Sequence, residues 1–167
     1  MPTIHTYPQH HPSHHTQPLG MSAALLAELS KPYYRKLLDD AKALNSDANE
    51  MAIVLCQAAS EIATEAAITS LLAIRNDQDL VEPILNRFSV PDICNDDLCK
   101  IFSALAGDDP KKQPFWPKLK AHKKRRNDVV HRGERVTRGD AIESVAVVDA
   151  YIKYLEAILA GVTTRSP

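Results

Sequence analysis

The residue types best suited to chemistry lie together in one short stretch, Arg126 to Gly133, with the sequence RNDVVHRG. Arg126 carries a planar, permanently charged guanidinium that matches phosphate oxygens, and the histidine side chain of His131 can take and give a proton near neutral pH. On an α-helix Asn127 and His131 share a face, whereas Arg126 lies about 100° around the helix and must use its length to reach the same substrate. Gly133 is predicted to end the helix in the left-handed conformation, so that His131 falls in the last turn, where the helix dipole raises the pKa of an imidazole. The stretch is therefore predicted to act on a phosphate group.

A strongly basic segment surrounds this stretch, although the formal net charge of the whole chain is only −1. Its lysines and arginines are Lys118, Lys120, Lys123, Lys124, Arg125, Arg126, Arg132, Arg135 and Arg138. The candidates for binding an RNA backbone are Lys120, Lys123, Lys124, Arg125 and Arg132, because each phosphate that a cation neutralises releases counterions. The alternative is that the run is the solvated face of a helix. Phe115 and Trp116 precede it, and they either stack on bases or, as their scarcity favours, anchor the helix in the core.

The segment RRNDVVHRG resembles the Arg-x(4–6)-His signature of the HEPN family, which comprises helical bundle domains, many of them metal-independent endoribonucleases. Family members with a polar residue directly after the arginine are the usual nucleases, and Asn127 stands at that position. Arg125 also satisfies the looser spacing, so the choice of Arg126 rests on the asparagine. The resemblance extends over roughly Ser46 to Ala160.

The resemblance implies a set of site residues. Arg126, Asn127 and His131 would be catalytic, and an acid on the long upstream helix, Glu61 or Glu65, would hold the arginine in position. The alternative for both acids is a solvated helix face. The spacing of acids and histidines suggests no metal site, and no cofactor is expected.

Composition narrows the class of protein. At 167 residues the chain is expected to form one domain that can bury a core without disulfides or metals. Its three cysteines, Cys56, Cys94 and Cys99, are odd in number and form no Cys-x-x-Cys pair, which favours a reducing cytoplasm. No uninterrupted apolar stretch approaches about eighteen residues, so neither a membrane span nor a secretory signal is predicted.

The chain is predicted to divide into four segments. Residues 1–20, rich in proline and histidine, are expected to be a disordered tail, an interpretation favoured over metal binding by the histidines. An N-terminal helical segment follows at 21–45, with a fresh helix start at Ser30-Lys31-Pro32. A helical bundle then spans 46–162, and 163–167 form a second disordered tail.

Within the bundle the apolar spacing is helical throughout, so the fold class is all-α, an up-and-down bundle of about five to six helices. The central helix is predicted to start with a capping box at Asp47 and Glu50 and to run to about Arg75. The shorter helices are predicted at 77–88, bent near Pro83, and at 95–106, capped by Asn95 and stopped by Gly107. A further helix opens at Phe115 and Trp116 and ends in the motif.

The last helix is predicted to start between Thr137 and Asp140 and to carry an apolar seam. The seam residues recur every three or four positions and form either a bundle face or a dimer face: Ala141, Val145, Val148, Ile152, Leu155 and Leu159.

These features lead to a working hypothesis and a rival. The hypothesis is a metal-independent endoribonuclease, a possible toxin or defence effector, that cleaves RNA through attack by the ribose 2′-hydroxyl. One histidine cannot readily serve as both base and acid on opposite sides of an in-line displacement, so a symmetric homodimer is expected. A separate antitoxin protein is a possible partner. The rival is a non-catalytic RNA-binding or protein-interaction helical domain.

Overall fold

The computed structural model describes residues 30–44 and 48–163, and within those ranges it contains six α-helices and no strand. The helices are α1 (Tyr33–Ala43), α2 (Asn49–Ile74), α3 (Val81–Asn86), α4 (Asp96–Ala106), α5 (Trp116–Arg132) and α6 (Arg138–Thr163). The prediction of an all-α helical bundle is confirmed. The tail at 1–20, the first part of the segment predicted at 21–45 and residues 164–167 lie outside the described residues.

Two of the predicted helix ends are confirmed in atomic detail. The Asn95 side-chain oxygen accepts from the backbone N–H groups of Asp97 (3.0 Å) and Leu98 (3.2 Å), which caps α4. Gly107 ends the same helix with φ +70°, a left-handed conformation that costs glycine little. Local sequence is sufficient for these ends because each cap is within four residues of its partner.

The central helix begins differently from the prediction. Ala48 precedes α2 and provides no side-chain cap, while Asp47, the expected capping residue, lies outside the described residues. Glu50, the expected second half of a capping box, instead accepts a hydrogen bond from the backbone N–H of Val136 at 3.2 Å. Glu50 therefore ties the start of α2 to the connection between α5 and α6.

The helix predicted at 77–88 is shorter and opens as a 3₁₀ turn. This turn, Gln78–Leu80, leads directly into a six-residue α3 that contains Pro83 in its first turn. Proline lacks an N–H donor and is tolerated only near a helix start, so the α-helix begins shortly before it.

The core forms mainly between α2 and α6, the two 26-residue helices. Alanines on α2, such as Ala59 and Ala63, are buried and allow neighbouring helices to approach closely. A polar contact crosses this core, because the hydroxyl oxygens of Thr64 and Tyr151 lie 2.8 Å apart. Phe115 packs edge-on against Tyr151 with ring centroids 5.7 Å apart, so it anchors the start of α5 in the core.

The apolar seam of α6 faces the interior of the bundle. Ala141, Val148, Ile152 and Leu155 are buried, and Val145 and Leu159 are partly buried against the same core. Of the two interpretations of the seam, the bundle face is the one observed. A dimer must use another surface.

Helix α1 docks on α2 and α6 through apolar and ionic contacts. Leu37, Leu38 and Ala41 are buried. Arg35 donates from Nε to Glu156 at 2.8 Å and from a terminal nitrogen to Asp149 at 3.0 Å, both on α6.

Helix α2 is, among the described residues, the one helix long and apolar enough to cross a membrane by length and composition alone. In the bundle 56% of its most apolar window is buried. A core helix meets the same criteria.

Candidate nucleic-acid interface and phosphate site

Helix α5 carries the Arg126 to His131 motif and ends as predicted. Gly133 adopts φ +65°, and its N–H donates to the Val129 carbonyl at 3.1 Å, while the N–H of Glu134 donates to the Asp128 carbonyl at 3.3 Å. These two hydrogen bonds close the last turn of the helix. His131 lies in that turn with an exposed side chain that makes no hydrogen bond to the described residues.

Arg126 is half-buried, and no carboxylate of the described residues lies within ion-pair distance of it. One terminal nitrogen donates to the side-chain oxygen of Asn127 at 3.1 Å. Asn127 therefore orients Arg126 rather than His131. A half-buried guanidinium without a carboxylate partner is electrostatically prepared to accept an anion.

Arg125, unlike Arg126, is engaged by acids of α6. Its side chain is 16% exposed and forms ion pairs with Asp140 (3.0 Å) and Glu143 (3.1 Å) of α6. It also donates to the buried Ser144 hydroxyl at 2.9 Å. This arrangement distinguishes two arginines that the spacing alone left open, because Arg125 is paired with two carboxylates, whereas Arg126 is paired with none of the described ones. It also gives Arg125, one of the five proposed RNA-binding residues, a structural role.

Glu61, rather than Glu65, is the acid near Arg126. The Glu61 carboxylate is half-buried and accepts from the Gln57 side-chain amide at 2.6 Å. Burial raises its pKa, while the Gln57 hydrogen bond and the Arg126 charge oppose that rise. The two side chains thus interact electrostatically without a direct ion pair. Glu65 is exposed, and its side chain makes no hydrogen bond or ion pair with the described residues.

A groove of about 420 Å³ runs along the adjacent face of α5. Its lining residues are Cys94, Lys120, Lys123, Lys124, Asn127, Asp128 and Arg132. Four of the five predicted RNA-binding residues and one predicted catalytic residue thus share one concave surface. Arg126 and His131 are not among the lining residues, although helical geometry places His131 one turn beyond Asn127 on the same face.

Carboxylates already neutralise most of the cations in this groove. Lys123 pairs with Asp92 at 2.6 Å, and Asp128 holds both Lys124 (2.8 Å) and Arg132 (3.0 Å). Its hydrogen bond from Lys124 is the main reason that the pKa of Asp128 is lowered. Lys120 is exposed and has no ion-pair partner among the described residues. A polyanion can therefore bind Lys120 directly, but it must displace carboxylates to bind the other three cationic residues of the groove.

His122 was not anticipated from the sequence. It lies one turn before Arg126 on the same face of α5, is completely buried, and neither ring nitrogen has a hydrogen-bond partner among the described residues. Burial and then the Arg125 charge lower its pKa to about 4, with Asp92 acting in the opposite direction and Arg126 in the same one. The four-residue spacing between His122 and Arg126 was the signal available in the sequence.

The described residues contain no group of three histidine, cysteine or acidic side chains that could hold a metal ion. Their three cysteines are free thiols. Burial raises the pKa values of Cys56 and Cys94 to about 12, so both thiols are protonated at neutral pH.

In comparisons with known proteins, no family model, no curated protein and no solved structure matched the chain. The functional argument accordingly rests on the geometry of this region.

Proposed function

We propose that the chain is a metal-independent endoribonuclease of the HEPN type. The observation that carries the proposal is Arg126, a half-buried guanidinium with no carboxylate partner among the described residues, held by Asn127 at the edge of a cationic groove. Preorganised cations of this kind stabilise the charge that develops on phosphorus during phosphoryl transfer.

The proposed reaction needs two proton transfers. The ribose 2′-oxygen gives up its proton and attacks the adjacent phosphorus, and the bond from phosphorus to the 5′-oxygen breaks as that oxygen takes a proton. The products are a 2′,3′-cyclic phosphate and a free 5′-hydroxyl. His131, exposed in the last turn of α5, transfers a proton, and Arg126 binds the phosphate oxygens.

RNA would lie along the groove. Lys120 is available at once, and Lys123, Lys124 and Arg132 exchange their carboxylate partners for phosphates. Such binding weakens as salt rises, because each phosphate contact releases counterions.

A homodimer would supply the second proton-transfer group by bringing two histidines to one cleft. Because the α6 seam is inside the bundle, the dimer would form at the motif end of α5, where Val130 is 48% exposed beside His131. A separate antitoxin protein, if the chain is a toxin or defence effector, would cover the same region.

The decisive experiment compares His131→Ala with Arg132→Gln on a single-stranded RNA in the presence of EDTA. Loss of a general acid or base should lower cleavage by about 10²–10⁴-fold, whereas removal of a neighbouring charge should mainly weaken binding. The cut ends should carry cyclic phosphate and 5′-hydroxyl groups. Cleavage that survives His131→Ala, or that vanishes with EDTA and returns with magnesium, would exclude the proposed mechanism.

One observation favours a second function, binding of RNA or another polyanion without cleavage. The groove is lined by four cationic residues but not by His131 or Arg126. If the chain binds RNA without cleaving it, His131→Ala should leave RNA binding unchanged, while neutralising the groove lysines should weaken it.

A further inference from the structure

Burial of the His122 ring without hydrogen-bond partners lowers the stability of the folded chain. The ring is completely buried, and both ring nitrogens lack hydrogen-bond partners among the described residues. Buried polar atoms are nearly always satisfied, and an unsatisfied one destabilises the fold. A leucine of similar volume would fill the same space without burying an unpaired nitrogen. The presence of histidine therefore suggests that its ring nitrogens bind another group in the working protein.

The charged groups around His122 indicate which side chain its ring nitrogen could bind. They are Arg125 and Arg126 on the same helix and Asp92 from the segment before α4. Arg125 is engaged by two acids and a serine of α6. Asp92 is engaged by Lys123 and by the backbone N–H of Cys94 at 2.8 Å. Of the three charged groups, Arg126 is the one without an ion-pair partner among the described residues, and its one side-chain hydrogen bond is to Asn127.

A neutral imidazole has one nitrogen that accepts a hydrogen bond, and a guanidinium has five N–H donors, of which Asn127 takes one here. We infer that His122 is a positioning residue for Arg126, and that its buried acceptor nitrogen fixes the direction of the guanidinium when the arginine binds a phosphate. In the phosphate-bound protein Asn127 would hold the guanidinium from one side, and His122 would hold it from the preceding turn of the helix. This inference rests on the proposed function of Arg126.

The arrangement requires a neutral ring. A protonated His122 would have no acceptor and would repel the arginine. Burial keeps the ring neutral, because a charged imidazole is disfavoured away from water.

Two variants separate this role from simple packing. His122→Leu keeps the volume and removes the acceptor, and His122→Gln keeps an acceptor oxygen near the position of the outer ring nitrogen. For cleavage of a single-stranded RNA we expect His122→Leu to lower kcat about tenfold or more with little change in KM, because the acceptor acts on the transition state rather than on RNA binding. His122→Gln should recover a large part of that loss.

A second measurement does not depend on cleavage. The probe is a 2′-deoxy oligonucleotide, which cannot undergo 2′-hydroxyl attack, and the observable is the Nε–H signal of Arg126 in nuclear magnetic resonance spectra, assigned with Arg126→Lys. Addition of the oligonucleotide should slow solvent exchange of this proton in the parent and in His122→Gln, but not in His122→Leu.

The inference is overturned if the parent cleaves RNA and His122→Leu matches it in kcat, or if the Arg126 signal responds equally in the parent and in His122→Leu. It is also overturned if the parent signal does not respond at all. These outcomes differ from failure of the proposed function, in which the parent does not cleave RNA although the Arg126 signal depends on His122.

Discussion

Between about pH 7 and about pH 5, acid should destabilise the folded chain through the buried residue His122. The pKa of its imidazole falls from an ordinary 6.5 to about 4 in the folded state. Since one pKa unit corresponds to about 1.4 kcal/mol, full protonation costs the folded state about 3 kcal/mol relative to the unfolded chain. That is a large part of the stability of a typical domain, about 5–15 kcal/mol.

The pH window follows from the direction of the shift. Between 6.5 and about 4 the unfolded chain binds a proton that the folded chain excludes, so stability falls as the pH drops through this range. About 2 kcal/mol of the loss should occur between about pH 7 and about pH 5. Glu61 acts in the opposite direction, because its pKa is raised and the folded state takes up its proton more readily. Acids with lowered pKa values, such as Asp140, lose their contribution as the pH falls below the range of an ordinary carboxyl group.

The assay is urea denaturation followed by circular dichroism, for the parent and for His122→Leu, at a series of pH values. The difference in the free energy of unfolding between the two proteins reports on His122, since every other titrating group is common to both. The leucine variant should be more stable near neutral pH, and its advantage should grow by about 2 kcal/mol on acidification to about pH 5. The matched control is Val130→Leu, a non-titrating change at an exposed position of the same helix, whose stability should differ from that of the parent by the same amount at every pH. Parallel pH curves for the parent and His122→Leu would refute the reasoning.

Three further outcomes are expected. Replacing Lys120, Lys123 and Lys124 together by glutamine should weaken single-stranded RNA binding and lower the slope of log affinity against log salt by roughly 0.7 for each lost phosphate contact; an unchanged slope in a filter-binding titration means that RNA enters elsewhere. Arg126→Lys should impair RNA cleavage more than RNA binding, because lysine keeps the charge but loses the two-pronged guanidinium, and equal cleavage rates would exclude a role for the arginine in the transition state. Arg125→Met should lower the free energy of unfolding by roughly 1–3 kcal/mol, because it leaves a buried serine hydroxyl without its partner. Urea denaturation measures this change, and a stability equal to that of the parent would contradict it. The same variant should leave the salt dependence of RNA binding unchanged.

The parts of the fold that local chemistry determines were predictable. Asn95 and Gly107 end α4, and Gly133 ends α5, because each cap joins atoms a few residues apart. The 3₁₀ opening of the helix before α3 was missed, since the periodic pattern indicates an apolar face but not the hydrogen-bond spacing of the first turn.

The site was predictable only in part, for a different reason. The motif places Arg125 and Arg126 side by side, and the difference between them is created by Glu143 and Ser144, 18 and 19 residues after Arg125. The preference for Glu61 over Glu65 likewise depends on which face of α2 approaches α5. The burial of His122 depends on the packing of helices that are remote in sequence, which no local pattern encodes.

The three cysteines offer a way to observe motion in the native chain without introducing a label. Cys56 and Cys99 are buried in the core, whereas Cys94 is partly buried at the wall of the cationic groove. With pKa values of about 12, the thiols of Cys56 and Cys94 react with a disulfide reagent at neutral pH only when a fluctuation exposes them. The rate at Cys94 then measures how often the groove opens, and the rate at Cys56 measures how often the bundle itself comes apart. A nucleic acid lying in the groove would slow the first rate directly and the second only through its contribution to overall stability.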